Sequence, residues 1–292
     1  MANIDDIRSA VEAMDAFLMK RQDDHVKRVE SALVKLQKDI LNKLTLLRTN
    51  KKGQLEGIRL NLKNAQKIHR RVEELFKSDF TNEMRALIKD FRSVNAAISR
   101  SYKYLDEATE FTDIDNNAMK VLRDGVYQDY IEISGTKKQQ IIQSMYDLVV
   151  GGGDFDDVVT AVQAALTGTT RPGAVGRNLL AEARTLARDS IMQYQQEVNH
   201  LVAEEIGIKH FMYVGDIMAT TRDFCRKRVG KVYTRNQIDS WTFKWSGKSG
   251  PAYTHRGGYN CRHHWQGVRP EWLEGKKKLD VADWNLEQRE KG

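Results

Sequence analysis

Apolar residues recur along the first third of the chain in steps of three and four. Val26, Val29, Leu33, Leu36, Ile40 and Leu47 keep that rhythm, with polar Lys43 at one seam position. This is the a/d pattern of a packing helix. TNKKG at 49–53 then supplies Asn50 and Gly53 as helix breakers,. Beyond it the rhythm resumes through Leu55, Ile58, Leu62, Ala65, His69, Val72 and Phe76. Two like seams across a short turn predict an antiparallel helical hairpin. His69 falls on the second seam and reads as a hydrogen-bonded core residue. SDFTNE, with Ser78 or Asp79 ahead of Glu83, reads as a capped helix start,. From there Met84, Leu87, Ile88, Phe91, Val94 and Ile98 carry another amphipathic stripe to about Leu105,.

Residues 1–135 therefore read as a helical hairpin or bundle arm. Residues 136–206 read as a helical middle region of three helices, TKKQQIIQSMYDLVV, DFDDVVTAVQAALTG and VGRNLLAEARTLARDSIMQYQQEVNHLVAEE. GGGD at 151–154 lacks the lysine and hydroxyl residue of a phosphate loop, so its glycines end one helix and Asp154 caps the next,. TGTTRPG at 167–173 is linker-like,. Past Gly207 the character changes, because HFMYVGD, GKVYT and WTFKW are short, aromatic and β-branched,. Residues 207–270 thus form a small α+β, loop-rich module, and 271–292 a tail anchored by Trp284. The predicted fold is mainly α, an extended helical N-terminal region followed by that module.

Charge and composition add little to this. The 292 residues carry a formal charge of +7, from 47 basic against 40 acidic side chains, a mild excess that favours acidic partners without naming one,. No run approaches the roughly 20 apolar residues that span a bilayer. MANIDDIRSAVEAMDAF carries acids early and lacks an apolar leader core, which predicts no membrane partner and a chain that stays in the cytoplasm where it is made,. Two cysteines in that compartment are reduced, leaving metal binding, reactivity or packing as their uses,.

Those cysteines stand in the densest chemistry of the chain. THRGGYNCRHHW at 254–265 holds His255, Cys261, His263 and His264, and TTRDFCRKRVGKVYT at 220–234 holds Cys225. Cys225, His255, Cys261 and His263 offer two sulfur and two nitrogen donors, a set that suits one structural zinc. Adjacent His263 and His264 point opposite ways if extended, so only one of them can serve. The spacing departs from the close ligand pairs of a zinc finger, and two alternatives stand beside zinc. Cys225, among Arg222, Arg226, Lys227 and Arg228, could be an activated nucleophile with His255 or His263 as base. Otherwise Cys, His and the tryptophans Trp241, Trp245, Trp265 and Trp272 simply pack the loops together. The basic residues Arg222, Arg226, Lys227, Arg228, Lys231 and Arg235 could lie against DNA phosphates or form a solvated face.

Four pieces in this order, EARTLARDS at 182–190, GIKHFMYVGD at 207–216, TTRDFCRKRVGKVYT at 220–234 and HRGGYNCRHHW at 255–265, resemble the phage head morphogenesis family, the Mu F-like minor head proteins. The resemblance covers about residues 136–268. The chain departs from the family at Arg228, where many relatives carry a second cysteine, and at His263, where they end in Cys-Arg-Cys. The resemblance implies a structural, non-enzymatic role in a tailed bacteriophage. Such a protein is assembled in the host cytoplasm and resides in the virion, in the head interior or portal region. Its expected partners are portal, capsid or scaffolding proteins, packaged DNA, and further copies of itself through helix contacts. The competing expectation is a virion-delivered nuclease or toxin-like enzyme with its site in 220–265.

Overall fold

A computed structural model of the chain describes residues 4–104, 113–168, 178–245 and 248–270. The linker-like stretch from 169 onward and the tail with Trp272 and Trp284 lie outside the described residues, as do the side chains at 242–250. The fold is mainly helical, with one small sheet region near the C-terminus.

Helix α1 runs over Ile4–Leu44, α2 over Ile58–Glu74, α3 over Thr81–Lys89, α4 over Arg92–Tyr104, α5 over Asp113–Gly151, α6 over Phe155–Leu166 and α7 over Leu179–Glu205. The expected hairpin of α1 and α2 is present, with three adjustments. On α1 the buried position after Ile40 is Leu44, so Lys43 is off the seam. On α2 the expected stripe holds at Ala65 and Val72, but Asn61 and Ile68 are buried in place of Leu62 and His69, and Ile58 is exposed. The cause is the connection. The Leu55 N–H donates to Gly153 O at 3.0 Å and so stays out of the helix. Asn61 locks the turn by accepting from Arg48 N–H and donating to the carbonyls of Arg48 and Glu56, each at 2.8 Å. His69 is consequently half-exposed, with Nδ1 3.3 Å from the Tyr146 hydroxyl, so it remains a structural residue.

The third adjustment concerns SDFTNE, which starts no helix. Leu75–Phe80 is a π-helical turn continuing α2 into α3. The hydroxyls of Ser78 and Thr81 donate backward to Glu74 O and Phe76 O, so they serve the turn instead of capping a new N-terminus,. Further on, α5 is one helix of 39 residues, already formed well before 136. Gly152, at φ 67, ends it in the left-handed conformation, and Asp154 stands at the N-cap position of α6,.

The chain forms two compact units that do not follow the sequential partition at 135 and 206. One comprises 23–89 and 124–187, the other 1–22, 90–123 and 188–292, with boundaries falling inside α1, α5 and α7. The first unit has a continuous apolar core including Leu33, Leu36, Ile68, Phe80, Met145 and Val162.

In the second unit β1 (His210–Val214) is the centre of a three-stranded antiparallel sheet, between β2 (Val232–Thr234) and β5 (His264–Val268). Tyr213 stands opposite Trp265. A hairpin, β3 (Thr242–Trp245) with β4 (Lys248–Pro251), and the short helices α8 (Asp223–Arg226), α9 (Arg235–Asp239) and α10 (Ala252–His255) complete the module. The free edge of β5 is covered by α7. Gln196 Oε1 accepts from Trp265 N–H and Asn199 Nδ2 donates to Trp265 O, each at 2.8 Å, while the Tyr102 hydroxyl donates to Asn199. Side-chain amides thus occupy the ladder groups that an exposed edge would offer to another chain.

Candidate metal centre

The sheet places the site through its period of two. Residues 261, 263 and 265 fall on one face as the chain enters β5, so Cys261 and His263 line up with Trp265 against Tyr213 of β1. The His263 ring lies flat on Tyr213, 5.4 Å between centroids and 15° between planes, and Trp265 contacts Tyr213 at 4.3 Å. His264 faces the other way, fully buried, with Nδ1 3.2 Å from Asp15 Oδ1 but not aligned for a hydrogen bond. The expectation that only one of the adjacent histidines joins the cysteines is met, and it is His263.

Cys225 arrives from α8, which begins after Arg222. The Arg222 guanidinium donates to the carbonyls of Gly257 and Tyr259, tying α8 to the loop before Cys261. That loop is tightly coiled, with positive φ at Arg256 (53°), Gly258 (98°) and Asn260 (54°). The coil lets the backbone of Gly257 press on both sulfurs, and its N–H donates to Cys261 Sγ at 3.3 Å. A methyl group there would lie 2.1 Å from Cys225 Sγ, so only glycine fits,.

The result is a buried group of Cys225, Cys261 and His263 whose donor atoms all lie within 4.8 Å of one another, and which could hold a metal ion. The two sulfurs are 3.8 Å apart, and Cys261 Sγ is 3.6 Å from His263 Nδ1. Zinc bonds of about 2.3 Å to sulfur and about 2.0 Å to nitrogen give tetrahedral edges of about 3.8 Å and about 3.6 Å. Cys261 therefore already stands from Cys225 and from His263 at the separations a tetrahedral ion requires, while Cys225 and His263 lie within 4.8 Å of each other.

Electrostatics split this pair, favouring the thiolate at Cys261 and the thiol at Cys225. Cys261 is held well below the usual thiol range, first by its hydrogen bond with Cys225 and then by His263 and the nearby Arg256, against the effect of burial. Cys225 is correspondingly pushed up by the same shared hydrogen bond and by burial. The Tyr213 hydroxyl, 3.4 Å from Cys225 Sγ and 3.6 Å from Cys261 Sγ, is positioned to donate to them.

His255, the other expected nitrogen donor, is not in this group; its Nδ1 lies 3.4 Å from Gln193 Nε2. It ends α10, while Cys261 follows the coiled loop, and the coil turns them apart. The basic run also differs from a free cationic face. Arg226 donates to the carbonyls of Met218 and Thr221. Arg228 stacks on Phe224 at 3.7 Å and Trp241 at 4.1 Å. Arg235 covers Tyr253 and pairs with Asp239. Arg222, Arg226, Lys227 and Lys231 are exposed, but both arginines are engaged by carbonyls, which leaves the two lysines as the members best placed to meet a phosphate. Residue-type counting cannot detect this, because guanidinium groups serve carbonyls and rings as readily as phosphates.

Sequence reasoning missed Tyr213, Asp189 and Arg256. Asp189 of α7 accepts from Asn260 N–H at 2.7 Å, directly before Cys261. Burial pushes its carboxyl up to about 6, against the pull of Arg256 and that N–H. Arg256 is itself buried and donates to Thr254 O. Asp189 inside EARTLARDS carried no signal of this role.

In comparisons with known proteins the chain matches no family model, no curated protein and no solved structure.

Proposed function

We propose that this chain is a structural minor head protein of a tailed bacteriophage, acting with portal or inner capsid proteins during head assembly. Its C-terminal module would be clasped by one zinc ion on Cys225, Cys261 and His263. The observation that carries this reading is the meeting of Cys225 and Cys261, 36 residues apart, in one buried donor group. They come from two of the four motifs that carry the head-protein resemblance. A binding ion would cross-link loops of a module with little regular structure, which is a scaffold's use of zinc. Exposed Leu46, Ile58 and Leu60 around the α1–α2 connection offer apolar contacts to a partner helix,.

The direct test is the composition of particles from a host carrying this gene. The protein should co-purify with heads in low copy number and be captured by the portal protein; its absence from heads rejects the role. A DNA contact through Lys227 and Lys231 would show as affinity that falls with salt, at a slope near 0.9 per phosphate engaged. The enzymatic alternative rests on the cavity bordering the same residues, and nuclease assays of the wild type, Cys225→Ala and His255→Ala on RNA and DNA address it.

A further inference from the structure

Beside the three donors lies a cavity of about 100 Å³, and Cys225, Cys261 and His263 all contribute to its wall. Tyr213 and Gly257 contact the same sulfurs but take no part in that wall, so the protein supports the donors on one side and leaves space on another. Among the described residues no fourth histidine, cysteine or carboxylate joins the group. The acids of the cavity wall, Asp15 and Asp216, stand outside it, and His255, the nitrogen that would close it, is turned to Gln193. Zinc sites with four protein donors are closed and structural, whereas those with three keep a position for water or another ligand.

From this we infer that an ion on Cys225, Cys261 and His263 keeps its fourth coordination position open to the cavity and fills it with exchangeable water. The inference rests on the metal-binding part of the proposed function. The space is ample, since a water needs only about 10–15 Å³ of such volume. The wall is also polar enough to hold one, with Arg222 and Thr221 beside the two acids. Two thiolates neutralise a dipositive ion, so the site asks for no further charged protein ligand. The single cysteine of α8 and the turning of His255 to Gln193 thus leave this centre with three donors, a ligand-exchange site inside a clasp.

Cobalt(II) substituted into the full-length chain tests this. Sulfur-to-cobalt charge-transfer absorption reports thiolate binding, and electron paramagnetic resonance in water enriched in the magnetic oxygen isotope reports bound solvent. The expected result is charge-transfer absorption with isotope-dependent line broadening, both retained in Tyr213→Phe. Absorption without broadening overturns the open position, meaning that a protein oxygen, from Tyr213 or Asp216, closes the shell while the metal reading stands. Broadening that vanishes in Tyr213→Phe assigns the water to a site the phenol builds, and also overturns it. Absence of charge-transfer absorption rejects the metal reading itself.

Discussion

Gly257→Ala probes the clasp with a single methyl group. The new carbon would stand 2.1 Å from Cys225 Sγ, 3.1 Å from Cys261 Sγ and 3.5 Å from the Tyr213 hydroxyl. Carbon contacts settle at about 3.5–4.0 Å, and sulfur needs no less, so Cys225 Sγ or the loop backbone must retreat by about 1.5 Å. Neither retreat is free of consequence. Moving the sulfur breaks its approaches to Cys261 at 3.8 Å and to Tyr213 at 3.4 Å, while moving the loop disturbs the Gly257 N–H bond to Cys261. Overpacking of this kind costs about 1–3 kcal/mol. At about 2–4 °C per kcal/mol for a unit of 150–250 residues, the thermal midpoint should fall by roughly 2–12 °C. Thermal denaturation followed by circular dichroism gives the midpoint, and metal analysis gives the zinc content, which on the proposed clasp should drop as well. A variant with an unchanged midpoint and wild-type metal content would falsify the placement of the loop against the sulfurs.

Three further outcomes are expected. Gly135→Ala lies in α5 where the added carbon meets nothing within 4 Å, so it should stabilise the helix by up to about 1 kcal/mol; a lowered urea midpoint speaks against a helix there,. Leu33→Ala removes a fully buried side chain from the α1 seam and should cost about 2–5 kcal/mol in urea denaturation, whereas a loss under about 1 kcal/mol would place Leu33 on the surface,. Asp189 has a folded-state value, about 6, above its ordinary 3.8, so protonation favours the folded chain. Its stabilising contribution is complete below pH 3.8 and is lost as pH rises through about 6, on the order of 3 kcal/mol in all,. Asp189→Asn should flatten that part of the stability profile, and an unaltered profile refutes the assignment.

The sequence was most legible where one face of a helix decides burial. The α1 seam was readable because Val29, Leu33, Leu36 and Ile40 have no competing polar contacts. On α2 the same spacing held at Ala65 and Val72 but missed by one position at Asn61 and Ile68, because Asn61 fixes the turn through hydrogen bonds to the Arg48 and Glu56 carbonyls that no hydropathy pattern carries. SDFTNE failed for a related reason, since a hydroxyl can cap a new helix or bond back into an old one. At the site, Cys225, Cys261 and His263 were found from donor chemistry and strand alternation. His255 was wrongly grouped with them because its distance in sequence says nothing about three positive-φ residues in the intervening coil. Tyr213 and Asp189 act through long-range contacts that short motifs do not encode.

The interleaving of the two units sets an order on events during synthesis. Residues 23–89 and 124–187 leave the ribosome together with the intervening stretch, so their core can consolidate while the remainder is still being translated,. The other unit needs both its earliest residues and β5, and must wait for the final hundred. Metal capture by Cys225, Cys261 and His263 would accordingly be the last step in maturation, and a chain released early would carry a finished helical core but no clasp.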